Sequence, residues 1–138
     1  MSFFKKIFIL LISICTSCGW HSPDQIIGNF ETNYPDEPKD RNLIYNSQCV
    51  FSKKSVAAIG YNEKYIIAKT YRLNDTIDLI NMNDVKYYII DMPTYINDPY
   101  QEQSKGVLGP YNENEFLIEK HVLKIDNLNF TKFYSDVK

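Results

Sequence analysis

The feature that most constrains this chain is the stretch Val56-Ala57-Ala58-Ile59-Gly60-Tyr61-Asn62-Glu63-Lys64-Tyr65-Ile66-Ile67-Ala68-Lys69-Thr70-Tyr71. Two apolar, partly β-branched runs flank a short polar Asn-Glu-Lys connection, the pattern of an antiparallel hairpin. A third run, Lys86-Tyr87-Tyr88-Ile89-Ile90-Asp91, has the same character. In both Tyr65 to Tyr71 and Tyr87 to Ile90, apolar side chains stand at odd and even positions alike. Successive strand side chains point to opposite faces, so these strands require cover on both sides. A sheet with one face in water does not satisfy this sequence.

The predicted cover follows Gly109-Pro110, where Asn112 and Glu115 stand three apart ahead of Phe116-Leu117-Ile118. That spacing is a capping box: the Asn112 side chain accepts from an amide of the first turn while Glu115 reaches back. Phe116, Ile118, Val122, Leu123 and Ile125 then recur at helical spacings over a wide face. A helix over about 113 to 124 is expected, lying on the sheet, with small Ala57, Ala58 and Gly60 allowing close approach. The tail alternates Leu128, Phe130 and Tyr134 against Asn129 and Thr131, as a last strand or edge segment does.

Upstream, Phe30-Glu31-Thr32-Asn33-Tyr34 and Leu43-Ile44-Tyr45 read as two short strands separated by the break Pro35-Asp36-Glu37-Pro38-Lys39-Asp40. Residues 72–84 hold either a short helical turn around Thr76 to Asn81 or a loop. Strands first, then a helix, then a short strand define an α+β class with a mainly antiparallel sheet and one C-terminal helix packed on it; a small all-β barrel is the alternative. The 138 residues, with 44% hydrophobic and 23% charged side chains, suit one globular domain. No repeat at a solenoid or propeller period occurs.

The first residues read Met1-Ser2-Phe3-Phe4-Lys5-Lys6, then an apolar run from Ile7 to Ile14, then Cys15-Thr16-Ser17-Cys18-Gly19. Charge, apolar core and small residues in that order are those of a secretory signal, and the run is too short for the roughly 20 residues of a membrane span. Cys15 to Gly19 resembles a bacterial lipobox, with small Ser17 before the acceptor Cys18. The resemblance implies cleavage after Ser17 and lipidation of Cys18, although Cys15 stands where an aliphatic residue is usual. Cys15 is the poorer acceptor, since bulky Ile14 would then occupy the cleavage site. The expected layout is a signal peptide over 1–17, a lipidated cysteine and tether over 18–25, and a globular domain over 26–138. Loss of Lys5 and Lys6 leaves 13 basic against 17 acidic side chains, a net charge of −4 that argues against a nucleic-acid partner. Cys49 then becomes the sole thiol, expected as a small buried hydrophobe.

Taken together, the lipobox, Tyr65-Ile66-Ile67-Ala68-Lys69, Tyr87-Tyr88-Ile89-Ile90-Asp91 and Gly109-Pro110 ahead of Glu115-Phe116 resemble a group of small uncharacterised bacterial lipoproteins. That group is a domain of unknown function, so the resemblance implies no activity, cofactor or catalytic residue. Met92 to Gly109 stands out as an insertion.

Chemistry-bearing constellations are few. The C-x-x-C of Cys15 and Cys18 lies at the end of a signal core, with only His21 and His121 as imidazoles in the whole chain. His121 near Glu115 and Glu119 lacks the second histidine of a zincin motif. Asp75, Asp78, Asn81, Asn83 and Asp84 form an acidic, amide-rich patch without the alternating ligands and central glycine of a calcium loop. No nucleophile elbow or phosphate-binding glycine loop is present. No cofactor, metal or catalytic residue is therefore expected.

The candidate recognition element is Met92 to Gly106, with Tyr95 and Tyr100 as partner-binding residues flanked by Pro93 and Pro99. The alternative is a mobile insertion with its tyrosines folded back over the sheet. The expected function is a lipid-anchored, non-enzymatic interaction module of the bacterial cell envelope, meeting the membrane through its anchor and a protein through the loop. Gly19, in place of an acidic residue, favours the outer over the inner membrane. An immunity or inhibitor lipoprotein against an exported toxin or lytic enzyme, and a hydrolase with an unrecognised site, are the alternatives.

Overall fold

The computed structural model describes residues 23–34, 36–74 and 79–135; the leader, Cys18, Asp75 and Asp78 lie outside the described residues. Two antiparallel sheets form. The first takes β1 (Asp24–Ile27), β2 (Phe30–Asn33), β3 (Asn42–Tyr45) and β4 (Gln48–Cys49) in chain order. Its β1 opens at Asp24, two positions before the apolar pattern begins at Ile26. Asn46 and Ser47 join β3 to β4 with φ of 48° and 66°, the paired left-handed conformation of a two-residue hairpin loop.

The second sheet is larger, with strands β5 (Lys54–Tyr61), β6 (Tyr65–Asn74), β7 (Leu79–Asp91), β8 (Val107–Tyr111) and β9 (Lys132–Phe133) in the order β8-β7-β6-β5-β9. The expected hairpin is its centre: Gly60 pairs with Ile67, and the Asn62 side-chain oxygen accepts from the amides of Lys64 and Tyr65 at 2.8 and 2.7 Å. Within 72–84 the described residues are strand, whereas Thr76 to Asp78 of the expected turn lie outside the described residues. β6 runs on to Asn74 and β7 begins at Leu79, with Arg72 opposite Asn81. Tyr71 pairs with Val85, so Met82, Asn83 and Asp84 bulge out of β7 between these two pairs.

Both faces of this sheet are covered. Ile66, Ala68, Tyr88 and Ile90 face the first sheet and join Phe30, Leu43, Val50 and Phe51 in one core. Ile67 and Ile89 point the other way, to Phe116, Ile125 and Leu128. The outer cover follows from topology: β8 and β9 lie at opposite edges, so the chain between them crosses the intervening strands. That crossing carries helix α2 (Glu113–Val122), since α1 (Met92–Asn97) precedes it. The capping box is present, with Asn112 Oδ1 accepting from the Glu115 amide and Glu115 Oε2 from the Asn112 amide, both at 2.9 Å. The helix ends two residues before the expected Lys124, which adopts φ 58°; the amides of Lys124 and Ile125 bond back to the carbonyls of His121 and Lys120.

Four expectations need correction. The α+β class with mainly antiparallel strands stands, but there are two sheets and neither closes into a barrel, and α1 means that the C-terminal helix is not the sole one. Only Phe116 and Lys120 of α2 are buried, while Leu117, Ile118 and Val122 of its apolar face are exposed. The small residues of β5 admit the segment after the helix: a Cβ on Gly60 would lie 2.1 Å from the Asn129 carbonyl oxygen. Cys49 is exposed, because β4 is a two-residue edge strand.

The two sheets are also tied by polar contacts distant in sequence. Asp24 accepts from the Lys132 ammonium at 2.9 Å and from the Tyr134 hydroxyl at 2.7 Å, and that hydroxyl accepts from Thr32 at 2.8 Å. Burial raises the Asp24 pKa, but the hydrogen bonds from Lys132 and Tyr134 and the charges of Lys132 and Arg41 outweigh it, leaving the carboxyl below its ordinary value.

Candidate functional site

The segment singled out for recognition is largely structural. Pro93 falls in the first turn of α1, where its missing amide costs nothing, and Asp91 caps that turn by accepting from the Thr94 amide. This brings Tyr95 into the core, 1% exposed, its ring 5.7 Å from Phe30 and 5.5 Å edge-on to Tyr45. Gly106 lets the returning chain pass, since a Cβ there would meet the Tyr95 amide nitrogen at 2.4 Å. Tyr95 thus presents nothing to a partner, and its assignment as a recognition residue is corrected. Tyr100 is 70% exposed, but the two tyrosines form no common surface.

The other sequence candidates stay apart. His121 Nδ1 lies 3.1 Å from Asp126 Oδ1 on an exposed surface, while Glu115 is engaged in the cap. Asp84 lies 3.9 Å from Arg72 in the bulge of β7. Among the described residues no three His, Cys, Asp or Glu side chains gather where they would hold a metal ion.

The site that the tertiary structure creates lies on the outer face of the second sheet. There α2 and the segment 128–135 stand apart and leave a groove of about 580 Å³ over β5, β6 and β7. Its floor is Ala57, Ala58, Lys69, Tyr71 and Tyr87; α2 contributes Glu113, Phe116, Leu117 and Lys120; the opposite wall holds Leu128, Phe130 and Phe133. The rings are ordered against one another. Tyr87 stacks on Phe116 at 4.9 Å and 18°, and Phe116 on Phe130 at 6.0 Å and 20°. Met82, thrust out by the β7 bulge, closes one end.

Lys120 is the unusual member. It is 6% exposed, yet no carboxylate among the described residues lies within ion-pair distance; its ammonium sits 5.6 Å from the Phe116 ring centroid. Its aliphatic stem is what is buried, while the ammonium is not among the fully enclosed polar atoms and stays within reach of the groove. Lys69, half-buried, places its ammonium 5.8 Å from the Tyr71 ring. The groove therefore combines a flat apolar surface with positive charge, the composition that binds an apolar body carrying an acid. Sequence reasoning passed over Lys120. Its spacing from Phe116, one helical turn on, was the available signal.

A second recess, about 380 Å³, lies beside Lys54, Thr70, Lys86, Tyr88 and Glu102. Here Lys54 Nζ is 3.1 Å from Glu102 Oε1 and Arg72 Nη1 is 3.9 Å from Asp84 Oδ2, while Lys53 and Lys86 also line the recess, which lacks the aromatic ring cluster of the groove. The buried Tyr88 hydroxyl borders this recess, its proton held well above the ordinary phenol value by burial and by the charges of Glu102 and Asp84.

Fold and groove together define a small protein of two antiparallel sheets with a helix laid over the larger one and an aromatic recess beside that helix. The chain belongs to the family described as Protein of unknown function (DUF3997), whose family model matches residues 30–134. That match begins at β2 and ends at Tyr134, and so takes in the first core except Ile26 and Ile27 of β1, the second core, and the whole groove except Ser135. No curated protein and no solved structure matches the chain.

Proposed function

We propose that this chain is a non-enzymatic binding protein of a bacterial cell envelope, held at the outer membrane by lipid on Cys18 and capturing its ligand in the α2 groove. The observation that carries the reading is the groove. Its volume of about 580 Å³ falls within the range of small-molecule sites, and stacked aromatic rings and two lysines line it. Its polar lining consists of two amines, phenols, the Asn129 amide, the Ser135 hydroxyl and the exposed Glu113, set beside a larger apolar surface suited to holding a molecule.

The order Lys5-Lys6, apolar Ile7 to Ile14, Ser17-Cys18-Gly19 supports the address. Two or three acyl chains would hold the protein stably, where one holds it only reversibly. Six residue steps from Cys18 to Asp24 reach at most about 20 Å at ~3.3 Å each, so the groove would work close to the bilayer.

Expression of the full chain with radiolabelled fatty acid tests the tether. Label is expected on the wild type and absent from Cys18→Ser, which should leave the membrane fraction or persist unprocessed. Equal labelling of the variant would refute lipidation at Cys18.

A further inference from the structure

Resting on the reading of the groove as a binding site, we infer that its ligand is a small amphipathic carboxylate, an aryl or alkyl body with a single acid group, whose carboxylate pairs with Lys120. Three observations converge on this class. Lys120 is 6% exposed, lines the cavity and has no carboxylate partner among the described residues. Its stem is buried but its ammonium is not among the enclosed polar atoms, so an anion lying in the groove can reach it, and the apolar walls screen that attraction less than bulk water does. Next, Tyr87, Phe116 and Phe130 form a mutually packed ring cluster lining the groove beside that ammonium, apolar surface against which an apolar body can lie. Finally, the charged side chains lining the groove are Lys69, Lys120 and Glu113, a net charge of +1 that a monoanion neutralises and a dianion exceeds.

The apolar rim fits the same ligand. Met82 and Phe133 line the groove and are 51% and 71% exposed, apolar surface that a bound body would cover. Lysine offers a point charge with rotatable donors, which a carboxylate can meet without the fixed bidentate geometry that arginine imposes.

The test uses the full chain in its own membranes and a diazirine-bearing phenylalkanoic acid, with its methyl ester as the uncharged control. After illumination, mass spectrometry should place the label on peptides containing Glu113 to Val122 and residues 128–135. The ester should label about tenfold less, the scale of one lost charge-assisted hydrogen bond. Lys120→Met should reduce labelling by the acid to the level of the ester, and Lys120→Arg should retain part of it. The ester comparison needs no variant, so a Lys120→Met chain that fails to fold leaves the inference testable. Equal labelling by acid and ester overturns it, as does label confined to other peptides. Stronger competition by an alkyl phosphate than by the matching alkanoate overturns the monoanion assignment. A failed Cys18→Ser result bears on the tether alone and leaves this assay readable.

Discussion

Replacing Tyr95 by alanine separates a core tyrosine from a recognition tyrosine. The side chain is 1% exposed and lies between Phe30 and Tyr45, with Gly106 closed against its backbone, so the cavity left behind has little room to collapse. Large aromatic to alanine changes in such sites cost about 3 to 5 kcal/mol, of which each lost ring pairing accounts for about 0.5 to 1.5. For a domain of this size each kcal/mol lowers Tm by about 4 °C, so Tyr95→Ala should lose about 12 to 20 °C. Total stabilities run from about 5 to 15 kcal/mol, so the variant would keep a small margin or none. Tyr100→Ala, at a position 70% exposed, should stay within about 0.5 kcal/mol of the wild type. Urea unfolding followed by circular dichroism reads both, an unchanged slope with a lowered midpoint marking a loss of native stability. A loss below about 1 kcal/mol for Tyr95→Ala, or an equal loss for Tyr100→Ala, would refute the placement of α1 in the core.

Gly60→Ala places a methyl group 2.1 Å from the Asn129 carbonyl, so the segment closing the groove must shift; a loss of about 1 to 3 kcal/mol is expected in the same unfolding assay, and a neutral outcome would mean that this segment is not packed on β5. The Asp24 carboxyl, titrating below the ordinary 3.8 when folded, contributes stability that is fully present above the unfolded value and is lost as pH falls through the folded one. Acid titration of stability should therefore be flatter in Asp24→Asn than in the wild type below about pH 4, and parallel curves would argue against the tie to Lys132 and Tyr134.

Much of the architecture was legible because strand pairing and helix starts leave local marks. Val56 to Tyr71 announced its hairpin, and Asn112 with Glu115 announced where α2 begins. The 72–84 region was not legible. Its pairing of Arg72 with Asn81 spans a bulge whose polar residues, Asn83 and Asp84, read as loop by composition. The six residues of α1 are too few to display a helical period, and Pro93 read as a break although it is compatible with a first turn.

By itself the sequence determined that Tyr65 to Tyr71 and Tyr87 to Ile90 need cover on both faces, since apolar side chains at odd and even positions alike leave no face for water. It did not determine what would cover them. Only the crossover from β8 to β9 laid α2 across the outer face, and only the packing there turned Phe116 and Lys120 inward while Leu117, Ile118 and Val122 faced out. Periodicity reports which residues share a side of a helix; which side meets the sheet depends on the path of the chain between distant strands. The burial of Lys120 is a property of that path, and so is the groove.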